Sequence, residues 1–285
     1  MNYWIWLATV KGIGTVKKKA LLERFKTPEK IYKAKKEELL QVEGITEKCM
    51  NDIENSKNIE LIKKYEAYME KNKIKIINIV DKEYPEKLRQ IYDPPITLFC
   101  IGDITLLKKV SIGIIGSREP SVYGEKIATK FSKELSEKGI TVVSGMAKGI
   151  DACGHIGALQ ASGKTIAVLG CGVDIVYPVE NIQVYNSIAK TGLIISEYIV
   201  GTKPETWQFP ARNRIISGLC NGVLVVEAKK KSGTMITTDF ALEQGRELYV
   251  VPGNITSLNS EGTNKLMKEG AKIVTCIEDI LEDFI

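Results

Sequence analysis

The 285-residue sequence is poor in the residues that usually carry catalysis. It holds a single histidine, His155, and six cysteines at 49, 100, 153, 171, 220 and 276, no two within four residues of each other. One imidazole without a clustered set of thiols or acids does not make a zinc site. No G-x-S-x-G elbow supplies a serine nucleophile. Cysteines so scattered, in a chain long enough to bury its own core, predict free thiols rather than a disulfide framework. No apolar run approaches the ~18–20 residues of a membrane span. The opening Met1-Asn-Tyr-Trp-Ile-Trp lacks the basic and then apolar regions of a signal peptide. A cytoplasmic protein with no membrane span is expected.

A large excess of one charge is also missing. Lys and Arg number 40 against 35 Asp and Glu, a formal net charge of +5. Its distribution says more: residues 1–75 carry 17 basic and 11 acidic side chains, and residues 76–285 carry 23 and 24. Any anion site in the later part must therefore be local. With 44% hydrophobic and 26% charged residues, the composition is that of a folded chain, which excludes disordered and collagen-like classes. At roughly 100–200 residues per domain, the length predicts one large domain, alone or with a small partner.

Two patterns divide the chain. Segments 16–25, 28–41, 46–55 and 57–71 place apolar residues three and four apart, as Leu61, Ile62, Tyr65 and Met69 do, and read as helices. A connecting stretch, 74–100, contains Tyr84-Pro85 and Asp93-Pro94-Pro95. Beyond it, short β-branched runs at 110–115, 141–144, 165–169, 193–196, 222–227, 248–251 and 272–275 alternate with amphipathic segments. Near-continuous apolar runs suit strands buried on both faces of a parallel sheet. The fold expected is α/β, a doubly wound parallel sheet over 74–285, preceded by a small all-α domain over 1–72.

In such sheets ligands bind beyond the carboxyl ends of the strands. Four of the runs are followed there by small-residue turns: Gly116-Ser117-Arg118, Ser144-Gly145 through Lys148-Gly149, Gly170-Cys-Gly172, and Ser232-Gly233-Thr234. Turns of this kind expose backbone amides, and helix N-termini add about half a positive charge, which together favour phosphate. The dinucleotide fingerprint fails because Ile175 stands where its third glycine belongs. The Walker motif fails because Gly163-Lys164-Thr165 precedes a strand. No cofactor is expected.

The cations near that edge are Arg118, Lys148, Lys203, Arg212 and Arg214. The segment Trp207-Gln-Phe209-Pro-Ala-Arg212-Asn213-Arg214 puts aromatics beside guanidinium groups, a combination that stacks bases and tracks a strand's backbone. The alternative is that the aromatics pack inward and the arginines pair with acids. Near the start, Val10-Lys-Gly12-Ile-Gly14-Thr-Val-Lys17 has the shape of a helix–hairpin–helix, so Gly12, Gly14 and Lys17 are accessory candidates for a phosphate. Val42-Glu-Gly44-Ile-Thr46 is a poorer second copy. Such hairpins also serve as plain structural modules. His155 reads as a core residue, and Glu197 and Glu227 as structural or ligand-orienting acids.

The ordered set Gly116-Ser-Arg118, 144–151 (SGMAKGID), 167–174 (AVLGCGVD), Tyr177-Pro178, Ser196-Glu197, 209–217 (FPARNRIIS), 225–227 (VVE), Ser232-Gly-Thr, Pro252-Gly253 and Gly262-Thr-Asn264 resembles the DNA-processing protein A (DprA/Smf) family. That resemblance covers residues 74–275. It implies an extended Rossmann-like domain behind a SAM-like helix-hairpin-helix unit, acting on single-stranded DNA without catalysis. It further implies protection of incoming strands and loading of RecA recombinase in natural transformation, through a homodimer. The family's positively charged pocket maps onto Arg118 and its base-stacking aromatic onto Phe209. Val179-Glu180 stand where some members carry a DNA-contacting lysine. Many members end in a winged-helix module, which is not expected here after the acidic residues Glu278 to Asp283. A second reading is a related Rossmann-like hydrolase of nucleoside monophosphates using Glu227. A third is a scaffold whose basic N-terminus binds duplex DNA.

Overall fold

A computed structural model describes residues 2–284. Its centre is a nine-stranded sheet: β1 (Lys75–Asn78), β2 (Thr97–Gly102), β3 (Ser111–Ile115), β4 (Thr141–Ser144), β5 (Thr165–Val168), β6 (Leu193–Ser196), β7 (Gly222–Val225), β8 (Glu247–Val250) and β9 (Lys272–Ile273). The spatial order is β1-β2-β6-β5-β4-β3-β7-β8-β9. From β6 to β9 every pairing is parallel. The chain runs outward from β3 to β6 on one side and from β7 to β9 on the other. The switch point therefore falls between β3 and β7.

The expected doubly wound parallel sheet is present, with one addition. The stretch read as a connector carries β1 and β2, which pair antiparallel to each other, and β2 pairs antiparallel to β6. Phe99 and Cys100, fully buried, lie opposite Ser196 and Ile195 and cover an edge that β6 would otherwise expose. Prolines at 85, 94 and 95 obscured these strands in the sequence by breaking its periodicity.

Alternate strand residues face opposite layers, as the pleat requires. Val143, Val223 and Val225 pack with Ile215, Ile216 and Leu219 of the helix Gln208–Leu219. Val142 and Leu224 pack with Phe131 and Leu135 of the helix Val122–Glu137. Burying each such side chain contributes about 1.5–3 kcal/mol.

Residues 3–71 carry the helices Tyr3–Thr9, Thr15–Phe25, Pro28–Lys33, Lys36–Leu39, Glu47–Asn55 and Ile59–Lys71. The segment 28–41 is thus two short helices, parted at Ala34-Lys35. Tyr3–Thr9, capped by Asn2 through the amides of Trp4 and Ile5, is too short to show a periodicity. These helices share one apolar cluster with the sheet, from Trp6, Leu21 and Ile53 to Phe99, Met146 and Ile194. The Tyr68 hydroxyl also donates to Asp174 across that junction at 3.1 Å. All six cysteines are free. Among the described residues no helix is long and apolar enough to cross a membrane.

Candidate nucleic-acid interface

At the switch point the chain opens a cavity of about 590 Å³. Its walls come from the turn after β3 (Gly116 to Glu119), from Ala147 and Asp151, and from the start of the helix Gln208–Leu219 (Phe209, Pro210, Arg212, Asn213). The turn after β7 (Lys229, Ser232, Gly233, Thr234) and Tyr177 complete it. The Arg118 guanidinium is exposed and lies over the Phe209 ring, 5.9 Å from its centroid. Tyr177 stacks on the same ring. Among the described residues Arg118 makes no ion pair. The Ser232 hydroxyl, which precedes the helix Gly233–Glu243, is buried and finds no hydrogen-bond partner among the described residues.

The layer beneath is locked by internal bonds. The Asp151 carboxylate accepts from the amides of Gly145 (3.2 Å) and Ala147 (3.4 Å). That turn is an anion site already filled by the protein's own acid. Burial pushes the Asp151 carboxyl up, opposed by Arg212 and these amides. Arg212, buried, donates to the carbonyls of Gly145 and Val168. A Cβ on Gly145 would sit 2.6 Å from its guanidinium. Gly149, at φ +76°, lets Ile150 N–H reach the Ser117 carbonyl, and ties the turn after β4 to the one carrying Arg118.

This cavity, with Arg118 over stacked aromatics, lies at the switch point of a parallel sheet. Residues 75–285 match the DNA recombination-mediator protein A family, and residues 7–50 a SAM-like helix-hairpin-helix tandem. The chain belongs to the DprA/Smf family. The DNA processing protein DprA of Bacillus subtilis is 47% identical over 76% of this chain and 73% of its own length. Protein Smf of a Synechocystis strain is 38% identical over 98% and 71%. The X-ray structure of DprA from Streptococcus pneumoniae superposes with a TM-score of 0.89 at 36% identity, covering 99% of this chain and 98% of that one. A DprA structure from Helicobacter pylori, described for its single-stranded DNA binding mode, gives 0.67 at 32% identity, covering 74% and 95%.

Within this DprA/Smf frame the expected site residues separate. Gly116, Ser117, Arg118, Phe209, Arg212, Asn213, Ser232, Gly233 and Thr234 line the cavity; Ser144, Gly145, Lys148, Lys203 and Arg214 do not. Ser144 is fully buried and donates to the Ile114 carbonyl, because a residue at a strand's end points into the sheet layer. Arg214 sits two residues, about 200° of helical rotation, from Arg212 and faces the opposite way. There it is held bidentately by Glu197, both contacts 2.7 Å, and by Asp93 at 2.8 Å. For Arg214 the inward-pairing alternative is the observed one. Lys203 is exposed outside the cavity, and Lys148 pairs with Glu180. Gly170 faces the Phe209 ring at 3.0 Å from an added Cβ, so its turn seats that ring.

Of the three hairpin candidates, two have close internal neighbours. A Cβ on Gly12 would fall 2.2 Å from an Asp52 carboxylate oxygen, so an acid lies beside this glycine. Gly14 is open. Lys17 Nζ donates to Cys49 Sγ at 3.3 Å. Glu227 is buried and accepts from the Ser121 amide (2.9 Å) and hydroxyl (2.6 Å), fixing the start of the helix Val122–Glu137. His155 is buried against Thr165, and desolvation pushes it down to about 3, so it stays neutral. Among the described residues no three His, Cys, Asp or Glu side chains gather as a metal site requires. The sequence reading missed Tyr177, Glu119 and Lys229 as cavity residues. The Tyr-Pro pair after a glycine turn was the available signal for Tyr177.

Proposed function

We propose that the chain is a non-enzymatic binder of single-stranded DNA that takes the strand across the cavity between β3 and β7. The observation that carries this reading is Arg118, exposed over Phe209 and, among the described residues, without an ion pair, with Tyr177 stacked on the same ring. A cation for phosphate beside aromatic faces for bases recognises a strand with little regard to sequence. The Helicobacter pylori relative, described for its single-stranded DNA binding, supports the ligand class. On this reading the protein shields incoming single strands in the cytoplasm and loads RecA recombinase onto them during natural transformation, working as a homodimer. The hydrolase alternative loses its carboxylate, because Glu227 is committed to Ser121 and stands outside the cavity wall.

The test is a salt-titrated comparison of single- and double-stranded DNA. Wild-type affinity for the single strand should be the higher and fall with salt. Arg118→Glu should cut it by at least about tenfold, the scale of a lost charge-assisted contact replaced by repulsion. Unchanged binding by that variant would remove the assignment, and release of base from AMP would favour the hydrolase.

A further inference from the structure

Two lysines at the rim of the cavity are each held by an exposed acid. Lys148 follows the wall residue Ala147 and pairs with Glu180 at 2.5 Å, their side chains 55% and 58% exposed. Lys229, itself in the wall, pairs with Glu119 at 3.6 Å, with exposures of 48% and 85%. Glu180 lies three residues beyond Tyr177, and Glu119 directly follows Arg118. Among the described residues neither carboxylate has another side-chain partner. Among the described residues Arg118 makes no ion pair, while Lys148 and Lys229 are each neutralised by an acid of the same chain.

Pairs this exposed do little for the fold. Their larger effect is on an anionic ligand. A phosphate reaching the rim must exchange for a carboxylate that stays nearby and repels it. Lys148 holds the Glu180 carboxyl below its usual range, so the acid remains ionised throughout the neutral region.

We propose that Glu119 and Glu180 attenuate single-strand binding, each holding a rim lysine that the strand's phosphates capture only by exchange. The inference rests on the single-strand reading above and adds to it a graded grip. The strand is anchored at Arg118 and held loosely at the rim, so it dissociates faster than a fully basic rim would allow. Removing an acid frees a lysine for phosphate. Affinity should rise about two- to fivefold per acid, the range of an exposed ion pair. For each lysine newly engaged, the slope of log affinity against log salt should steepen by up to about 0.7.

The experiment titrates oligothymidylate against wild type, E119Q, E180Q, the double variant, and E137Q as a remote control, at several salt concentrations. The double variant should bind roughly tenfold tighter than wild type, with a steeper slope and slower dissociation. K148A and K229A, placed on the double-variant background, should abolish that gain. A double variant no different from E137Q overturns the attenuation. A gain that survives loss of both lysines also overturns it, because a general field effect would then explain it. If these outcomes occur while R118E still loses binding, the single-strand reading stands and only the attenuation falls. If wild type binds no oligothymidylate, both fall.

Discussion

Tyr177 stacks on Phe209 with ring centroids 5.3 Å apart and planes 23° from parallel. The two come from different elements: Tyr177 from the loop after β5, Phe209 from the first turn of the helix Gln208–Leu219. Tyr177 remains 45% exposed, which leaves aromatic surface for a base. Stacking one base on such a ring contributes roughly 1–3 kcal/mol. Tyr177→Ala should weaken oligothymidylate binding about fivefold or more and leave an abasic strand of equal length little affected. Equal losses on both ligands would show that the ring does not serve as a base platform.

Arg214 and Arg118 should separate stability from binding. Arg214→Ala leaves Glu197, 11% exposed at its side chain, as an uncompensated buried acid. Breaking a buried pair in this way costs roughly 3–5 kcal/mol. Arg118→Ala should change unfolding by less than about 0.5 kcal/mol, as surface substitutions do, while losing single-strand affinity. Denaturant titration of both variants beside their DNA binding checks this. The opposite pattern would reverse the two assignments.

Gly149 makes the link between the turns after β4 and β3 physically possible. At the positive φ of +76° an L-residue is strained by about 1–3 kcal/mol, and its Cβ would lie 2.4 Å from the Ser117 carbonyl oxygen. Gly149→Ala should destabilise the protein by about 2 kcal/mol or more. Because Ser117 adjoins Arg118, it should also lower single-strand affinity. Retained stability with full binding would mean that the two turns are not coupled.

Lys18 is 8% exposed, donates to the Ala8 carbonyl, and burial pushes its ammonium from 10.5 down to about 8. Between those values the unfolded chain binds more protons than the fold, so this group makes stability rise with pH across that window. Below pH 8 the buried charge costs about 3 kcal/mol. Lys18→Met should therefore stabilise the protein at pH 7, with a margin that shrinks towards pH 10.5. Thermal melts of both proteins across that range give the answer. A margin independent of pH would show that the ammonium is not desolvated.

The fold class was legible because parallel strands buried on both faces need near-continuous apolar runs, and 110–115, 141–144 and 222–227 have them. The family motifs were equally plain, since glycines at 116, 145 and 149 are fixed by close approach and unusual backbone angles that few other residues tolerate. β1 and β2 were hidden because each pairs with residues remote in the chain, and prolines interrupt the pattern between them.

Within the site, the sequence determined which chemistry gathers at one sheet edge, but not which way each side chain turns. Arg212 and Arg214 read alike in sequence. Two residues is more than half a helical turn, and that angle sends one into the cavity wall and the other into a buried pair with Glu197 and Asp93. The pairings of Glu180 with Lys148 and Glu119 with Lys229 join residues 32 and 110 positions apart. Contacts of that span depend on how the sheet brings its loops together, so only the tertiary structure decides them.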